Sequence, residues 1–172
     1  MNRLTLNKGF RAACICAALG LCVSPGVSTA QETENDEAPR YRNSLGIKFG
    51  SHHEEGVDDP LVGLEYTRIL DDNFGITVAF DYVRSSAVDR EWALAVPARI
   101  GFAKRFVFLI GPGLEYSEDT HGENEEEFFV RTGLAVEFEL GGGGWFLEPL
   151  VELDLFRETE KYFIGVKLGK AF

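Results

Sequence analysis

The chain has 172 residues, in which 17 lysines and arginines face 28 aspartates and glutamates, and its formal net charge is −11 at pH 7. This surplus of carboxylates repels a phosphate backbone, so nucleic acid is excluded as a partner. All three cysteines lie within the first 22 residues, which excludes a disulfide-stapled fold for the rest of the chain.

The first thirty residues have the pattern of a secretory signal. Three cations precede an apolar run over residues 12–23, and small residues follow at Ser28 and Ala30. The run is too short for a spanning helix, which needs roughly 20 apolar residues. We predict a cleaved signal peptide over residues 1–30 and a flexible, acidic periplasmic lead-in over residues 31–43. Removal of the signal takes away three cations and changes the formal charge to −14.

The remainder of the chain alternates apolar and polar residues with a period of two. Eight segments of roughly ten residues keep this alternation, and none has a helical period. They lie at residues 44–51, 61–70, 74–84, 92–102, 106–117, 128–140, 145–156 and 162–172. The pattern predicts one all-β domain over residues 44–172, an eight-stranded antiparallel up-and-down barrel.

The connections between these segments alternate between two kinds. Short turns are expected at residues 71–73, 103–105 and 141–144, and acidic, mostly longer loops at residues 52–60, 85–91, 117–127 and 157–161. Transmembrane barrels have short periplasmic turns and longer extracellular loops. We therefore expect the acidic loops to face the cell exterior.

The two faces of the segments differ in chemistry. One face collects large apolar side chains, and the other collects glycine and charged residues. An eight-stranded barrel is too narrow to hold the large apolar set, so we expect that set to face lipid. Its aromatic members fall into two girdles: Phe49, Tyr82, Trp92 and Tyr116 at one end, and Phe102, Phe106, Trp145 and Phe172 at the other. A soluble, lipocalin-like periplasmic calyx, which buries its apolar face, is the alternative.

The last segment carries the most specific pattern. It ends on Phe172, and apolar residues recur at every second position before it, at Tyr162, Ile164, Val166 and Leu168. This strand resembles the carboxy-terminal signal that bacterial outer-membrane barrels present to the insertion machinery, although Lys170 stands where that signal is usually apolar. Over residues 44–172 the chain resembles the small eight-stranded barrels of Gram-negative bacteria, the group that includes OmpX, the transmembrane domain of OmpA and the opacity proteins.

The resemblance implies a place in the cell. It implies an integral outer-membrane protein that contacts lipid and lipopolysaccharide, is inserted by the barrel-assembly machinery with periplasmic chaperones, and needs no cofactor. We expect a monomer. The predicted function is a non-enzymatic barrel with acidic extracellular loops, in envelope integrity or surface interaction.

Charged residues on the polar face predict ion pairs in the lumen, since buried charges need partners. A tight turn at residues 141–144 places Arg131 opposite Asp154, and a simple register for the last hairpin places Glu152 opposite Lys167. We interpret these as a structural ladder of ion pairs. The alternative is a small, cation-preferring, porin-like pore, because carboxylates outnumber cations on this face.

The histidines are the candidates for chemistry. His52, His53 and His121 lie among carboxylates in the acidic loops and are candidate metal ligands, but the spacing of an established metal motif is missing. Solvated loops that bridge to lipopolysaccharide phosphates through divalent ions are the alternative. Ser51 and Ser117 are the candidate serines for a hydrolase, but adjacent strand residues such as Ser51 and His52 point to opposite faces. The sequence therefore predicts no enzyme.

Overall fold

The structure is a computed structural model that describes residues 42–54, 56–84, 90–118 and 124–172. The predicted signal peptide lies outside these ranges, as does the predicted lead-in except for Arg42 and Asn43. Within them, no helix is long and apolar enough to cross a membrane.

The described residues form strands, which we number in chain order. They are β1 (Asn43–Glu54), β2 (Val57–Asp71), β3 (Phe74–Val83), β4 (Arg90–Ala95), β5 (Ala98–Phe102), β6 (Phe106–Glu118), β7 (Asn124–Val136), β8 (Phe138–Glu139), β9 (Trp145–Leu155) and β10 (Glu160–Ala171). Strands β4 and β5 continue one another across Val96 and Pro97, and β7 and β8 continue one another across Glu137. The barrel wall therefore has eight strands, two of which are interrupted, and we call each of the eight a stave.

The sheet closes on itself. Each stave pairs antiparallel with its neighbours in chain order, and β10 pairs with both β9 and β1. At the closing seam the Asn43 N–H donates to the Phe172 carbonyl at 3.1 Å, and the Phe172 N–H donates to the Asn43 carbonyl at 2.8 Å. The prediction of a closed, eight-stranded antiparallel barrel is confirmed.

Burial shows which face points outward. The tryptophans Trp92 and Trp145 are 37% and 46% exposed, whereas Arg99 and Arg131 are 8% and 2% exposed. The large apolar residues of the alternating face are exposed or half-buried along every stave, and the charged residues of the other face fill the interior. The soluble calyx alternative is wrong, because its apolar side chains would be inside.

The two ends of the barrel differ in how far the strands reach. At the end that holds Asn43 and Phe172, strands stop within a few residues of the girdle formed by Phe102, Phe106 and Trp145. At the other end they continue past the girdle, and β1 runs on from Phe49 to Glu54. The projecting end carries the acidic segments that the sequence predicts to face the cell exterior.

These extensions correct the predicted loops. Residues 52–60 are mostly strand, because β1 and β2 stay paired up to Glu54 opposite Val57. Strand β7 begins at Asn124, so much of the loop expected at residues 117–127 is also strand. The acidic segments lack the apolar alternation that marks a lipid-facing strand, yet they are paired as strands.

The prolines act differently from one another. Pro97 separates β4 from β5, whereas β6 and β9 continue through Pro112 and Pro149 without a shift of register. The Val96 N–H donates to the Pro112 carbonyl at 2.9 Å, so the wall stays hydrogen-bonded beside the break. A proline in a strand lacks one donor, and here the lost pairing is concentrated at Pro97.

Candidate functional site: the barrel lumen and its outer vestibule

Two cations hold the centre of the lumen together. Lys48 Nζ donates to Asp81 at 3.0 Å and to Glu152 at 2.7 Å. The Arg131 guanidinium donates to both oxygens of Asp154, at 2.8 and 2.6 Å, and to Asp81 at 2.6 Å. Lys48 and Arg131 are 0% and 2% exposed. These bonds connect β1, β3, β7 and β9 across the full width of the barrel.

A second set of ion pairs continues toward the end of the barrel that holds Asn43 and Phe172. Lys167 Nζ donates to Glu65 at 2.8 Å and also pairs with Glu148. Arg99 pairs with the same Glu148 at 2.8 Å and with Glu137 at 2.6 Å. We call the ten residues of both sets the lumen network: Lys48, Glu65, Asp81, Arg99, Arg131, Glu137, Glu148, Glu152, Asp154 and Lys167.

The two predicted lumen pairs have different outcomes in the structure. Arg131 lies opposite Asp154 in the β7–β9 register, as the tight turn at residues 141–144 predicts. The second predicted pair is wrong: Lys167 lies opposite Glu148, and Phe163 lies opposite Glu152. The cause is the connection before β10, which is a tight turn closed by a bond from the Phe156 N–H to the Thr159 carbonyl at 3.0 Å.

Four inward phenylalanines are part of the lumen and were missed by the sequence reasoning. Their rings lie over four lumen cations, with cation-to-centroid distances of 4.8 Å for Lys48 over Phe163, 5.4 Å for Arg131 over Phe129, 5.1 Å for Lys161 over Phe156 and 5.8 Å for Lys167 over Phe146. Each ring follows directly after a lipid-facing apolar or aromatic residue. Strand alternation alone assigns the second member of such a pair to the interior.

Glycines opposite these rings make the space for them. A Cβ atom on Gly113 would collide with the Phe129 ring, and one on Gly169 would collide with the Phe146 ring. A Cβ on Gly165 would likewise meet Phe163. Gly113, Gly165 and Gly169 are therefore sites where an aromatic ring crosses the narrow interior.

Above the network the lumen opens into an acidic cavity of about 210 Å³, which we call the outer vestibule. Its lining consists of Glu54, Glu91, Glu115, Ser117, Glu125, Glu127, Thr159 and Lys161. Lys161 pairs with Glu115 at 2.7 Å, with Glu91 at 3.2 Å and with Glu54 at 3.2 Å. The lining thus has five carboxyl groups and one ammonium group, and three of the five pair with that ammonium group. The excess of carboxyl groups makes the cavity acidic.

The two described histidines lie on opposite faces of β1. His52 is buried in the lumen with its Nε2 3.9 Å from Glu91. His53 is on the outer surface and pairs with Asp58 at 2.9 Å. In the described ranges no group of three or more His, Cys, Asp or Glu side chains could hold a metal ion. His121 lies outside those ranges.

Of the two candidate serines, Ser117 lines the outer vestibule, and His121, the histidine nearest to it in sequence, lies outside the described residues. Ser51 has no suitable histidine beside it. Ser51 is exposed on the outer face of β1, and the neighbouring His52 points into the lumen. The two side chains cannot form a nucleophile–base pair across the barrel wall.

An apolar outer belt, an aromatic girdle near each end and an ion-paired interior define the class. The chain is an integral β-barrel protein of the bacterial outer membrane, of the small eight-stranded type.

Solved structures show the same fold. The amino-terminal β-barrel domain of Pseudomonas aeruginosa OprF is similar with a TM-score of 0.59 at 12% identity, over 77% of this chain and 100% of that one. Neisserial surface protein A is similar with a TM-score of 0.55 at 7% identity, over 76% and 96%. The Ail protein of Yersinia pestis in a bilayer nanodisc is similar with a TM-score of 0.51 at 11% identity, over 77% and 99%. No protein-family model and no curated protein matches the chain.

Proposed function

We propose that the chain is a non-enzymatic outer-membrane barrel whose lumen is closed, and that it acts in envelope integrity or surface interaction through its projecting acidic end. The observation that carries the proposal is the burial of paired charges across the whole lumen. Lys48, Arg131, Glu148 and Glu152 are each at most 2% exposed. A conducting pore needs water along its axis, and these side chains leave little room for it.

The closure has two levels. Along β7 the inward positions run from Glu127 in the outer vestibule to Phe129 and then to Arg131 in the lumen network. Phe129, Phe156 and Phe163 are buried beneath the vestibule, and the Phe129 and Phe156 rings are 5.1 Å apart. We call these three rings the aromatic layer. An ion that entered from outside would meet the rings before it reached the network.

A small, cation-preferring pore is the second candidate, and the outer vestibule favours it. Its carboxylates would concentrate cations at the mouth. This reading requires that the aromatic layer and the lumen network rearrange to admit water.

Single-channel recording in a planar bilayer distinguishes the two candidates. The purified mature protein should insert and show no sustained conductance at low voltage. Insertion is checked separately by heat-modifiability on a gel. The double variant Phe129→Ala, Arg131→Ala removes one ring of the aromatic layer and one cation of the lumen network. It should give measurable, cation-selective current, and it serves as the control that the recording detects conductance.

Sustained current from the unaltered protein would reject the closed barrel and favour the pore. In that case Glu152→Gln tests the selectivity element, because it removes one buried carboxylate from the lumen without changing its volume. Unchanged conductance and unchanged cation preference in this variant would exclude Glu152 as that element.

The assembly route is part of the proposal. The lipid-facing side of β10 carries Tyr162, Ile164, Val166 and Leu168, and Phe172 follows directly after the strand. Ile164 and Phe172 are 61% and 58% exposed. This is the arrangement that an insertion signal read by the barrel-assembly machinery requires. Outer-membrane lipid, lipopolysaccharide and periplasmic chaperones are the proposed partners.

A further inference from the structure

Strand β7 has an open edge at the projecting end of the barrel. Its pairing with β6 continues to Asn124 at the tip, whereas its pairing with β9 stops at Val130 opposite Leu155. The chain then turns back into β10 through the tight turn at residues 156–159. Within the described part of the chain, residues 124–128 therefore have no strand paired with them on the β9 side. We call residues 124–128 the β7 edge.

The free backbone groups of the β7 edge follow from the ladder. In an antiparallel sheet a residue directs its N–H and C=O to one neighbouring strand, and the residues before and after it direct theirs to the other. The Glu137 N–H donates to the Arg105 carbonyl at 2.8 Å, on the β6 side, and the β6–β7 register has no shift. Odd-numbered residues of β7 therefore bond to β6. Asn124, Glu126 and Phe128 direct their N–H and C=O groups to the open side, where no backbone group of the described residues bonds to them.

The side chains of the β7 edge point to two different surroundings. Glu125 and Glu127 line the outer vestibule. Glu126 and Phe128 lie on the outer face, and Phe128 is 79% exposed, more than any other large apolar side chain in the described ranges. A strand laid along this edge would therefore place alternate side chains beside the vestibule carboxylates and the remaining ones beside the Phe128 ring.

Charge excludes two possible occupants of the β7 edge. A second copy of the edge would bring the glutamates at 125–127 against the same three glutamates, and like charges opposite one another destabilise a sheet. Residues 31–41 of this chain carry four carboxylates and one arginine, and they join the barrel at Asn43, at its opposite end. A segment rich in lysine or arginine, by contrast, would offset the repulsion among the carboxylates of the edge.

We propose that the β7 edge binds an extended, basic segment of another protein as an additional β-strand. The backbone of the segment pairs with Glu126 and Phe128, and its alternate lysines or arginines enter the outer vestibule beside Glu125 and Glu127. Lys161 already shows that vestibule carboxylates hold an ammonium group, since it pairs with three of them. This strand addition rests on the surface interaction proposed above and gives that interaction a partner of stated chemistry.

A synthetic peptide tests the site directly. The probe is a fluorescein-labelled peptide of about six residues that alternates lysine with valine, and fluorescence anisotropy follows its binding to the purified protein in maltoside micelles. With the lysines in the vestibule, the valine N–H groups are the ones that face β7. N-methylation of the valines should therefore weaken binding at least tenfold, whereas N-methylation of the lysines, which keeps the same charge, should change the affinity less than about threefold.

Variants of the protein locate the binding on β7. Glu126→Pro removes an N–H that the β6–β7 ladder does not use, and an edge strand tolerates proline at such a position. Glu126→Gln is its matched control, because it removes the same charge and keeps the N–H. The proline variant should bind the peptide at least tenfold more weakly than the glutamine variant. Glu125→Gln with Glu127→Gln should weaken binding and make it less sensitive to salt.

Three results would overturn the strand addition. These are equal binding of the two methylated peptides, equal affinity of the proline and glutamine variants, and no saturable binding by the unaltered protein. Heat-modifiability on a gel shows that each variant is folded, and if Glu126→Pro is not, the two methylated peptides decide on the unaltered protein. Failure here would leave the closed lumen standing, because the bilayer recording tests the lumen separately.

Discussion

The removal of Arg131 from the lumen network should be one of the most destabilising single changes in the barrel. Arg131→Met keeps most of the side-chain volume but removes three hydrogen bonds to Asp154 and Asp81, of 2.8, 2.6 and 2.6 Å. Among the described residues, Arg131 is the cation that pairs with Asp154. One such pair is worth about 4 kcal/mol at about 4 Å and an effective dielectric of about 20. Breaking a buried pair from one side costs about 3–5 kcal/mol.

Urea unfolding of the barrel from lipid vesicles measures this cost. With a slope near 2 kcal/mol/M, the midpoint should fall by about 2 M for Arg131→Met, whereas the exposed control Arg157→Met should change stability by less than about 0.5 kcal/mol. Adding Asp154→Leu to Arg131→Met removes the uncompensated carboxylate, so it should restore at least about 2 kcal/mol. A double variant less stable than Arg131→Met alone would refute the assignment of this pair.

The outer belt and the packed interior give two further predictions. Val78→Arg, in the middle of the lipid-facing belt, should cost about 2–4 kcal/mol in vesicles, and Leu70→Arg near the periplasmic rim about 0–1 kcal/mol; equal costs would argue against a bilayer around the belt. Gly113→Val should cost about 1–3 kcal/mol because the new side chain overlaps the Phe129 ring, whereas Gly142→Ala meets no atom within 4 Å and should be neutral in the same unfolding assay.

The faces of the strands could be predicted from the sequence because side chains alternate along them, apart from the register shift between Ile69 and Asp71 in β2. Because the interior is too narrow for the large apolar residues, the apolar face must point to lipid. The position of Trp92 or Lys48 in the alternation then predicts whether the side chain faces lipid or the lumen. The pair Arg131–Asp154 could also be predicted, since a short glycine turn fixes the register of the strands it connects. These inferences need only local geometry.

The register of the last hairpin and the length of the outer strands could not be predicted in the same way. The observed turn at Phe156–Thr159 and the predicted loop at residues 157–161 give β9–β10 registers that differ by four residues. Both registers satisfy the alternation, because a shift by an even number of residues leaves every side chain on the same face. Likewise, the acidic segments beyond Phe49 or Phe128 have no lipid-facing alternation to mark them as strand. Only the hydrogen-bond pairing of the folded barrel determines them.

The inward phenylalanines explain why glycine and charge occur together on the lumen face. Gly169 leaves room for the Phe146 ring, Lys167 lies 5.8 Å from that ring, and Lys167 in turn pairs with Glu148. The ring face replaces part of the water that an ammonium group loses on burial, so the glycine indirectly supports the ion pair. Opening the lumen would therefore require these rings to move as well as the ion pairs to exchange partners, which favours a closed barrel as the resting state.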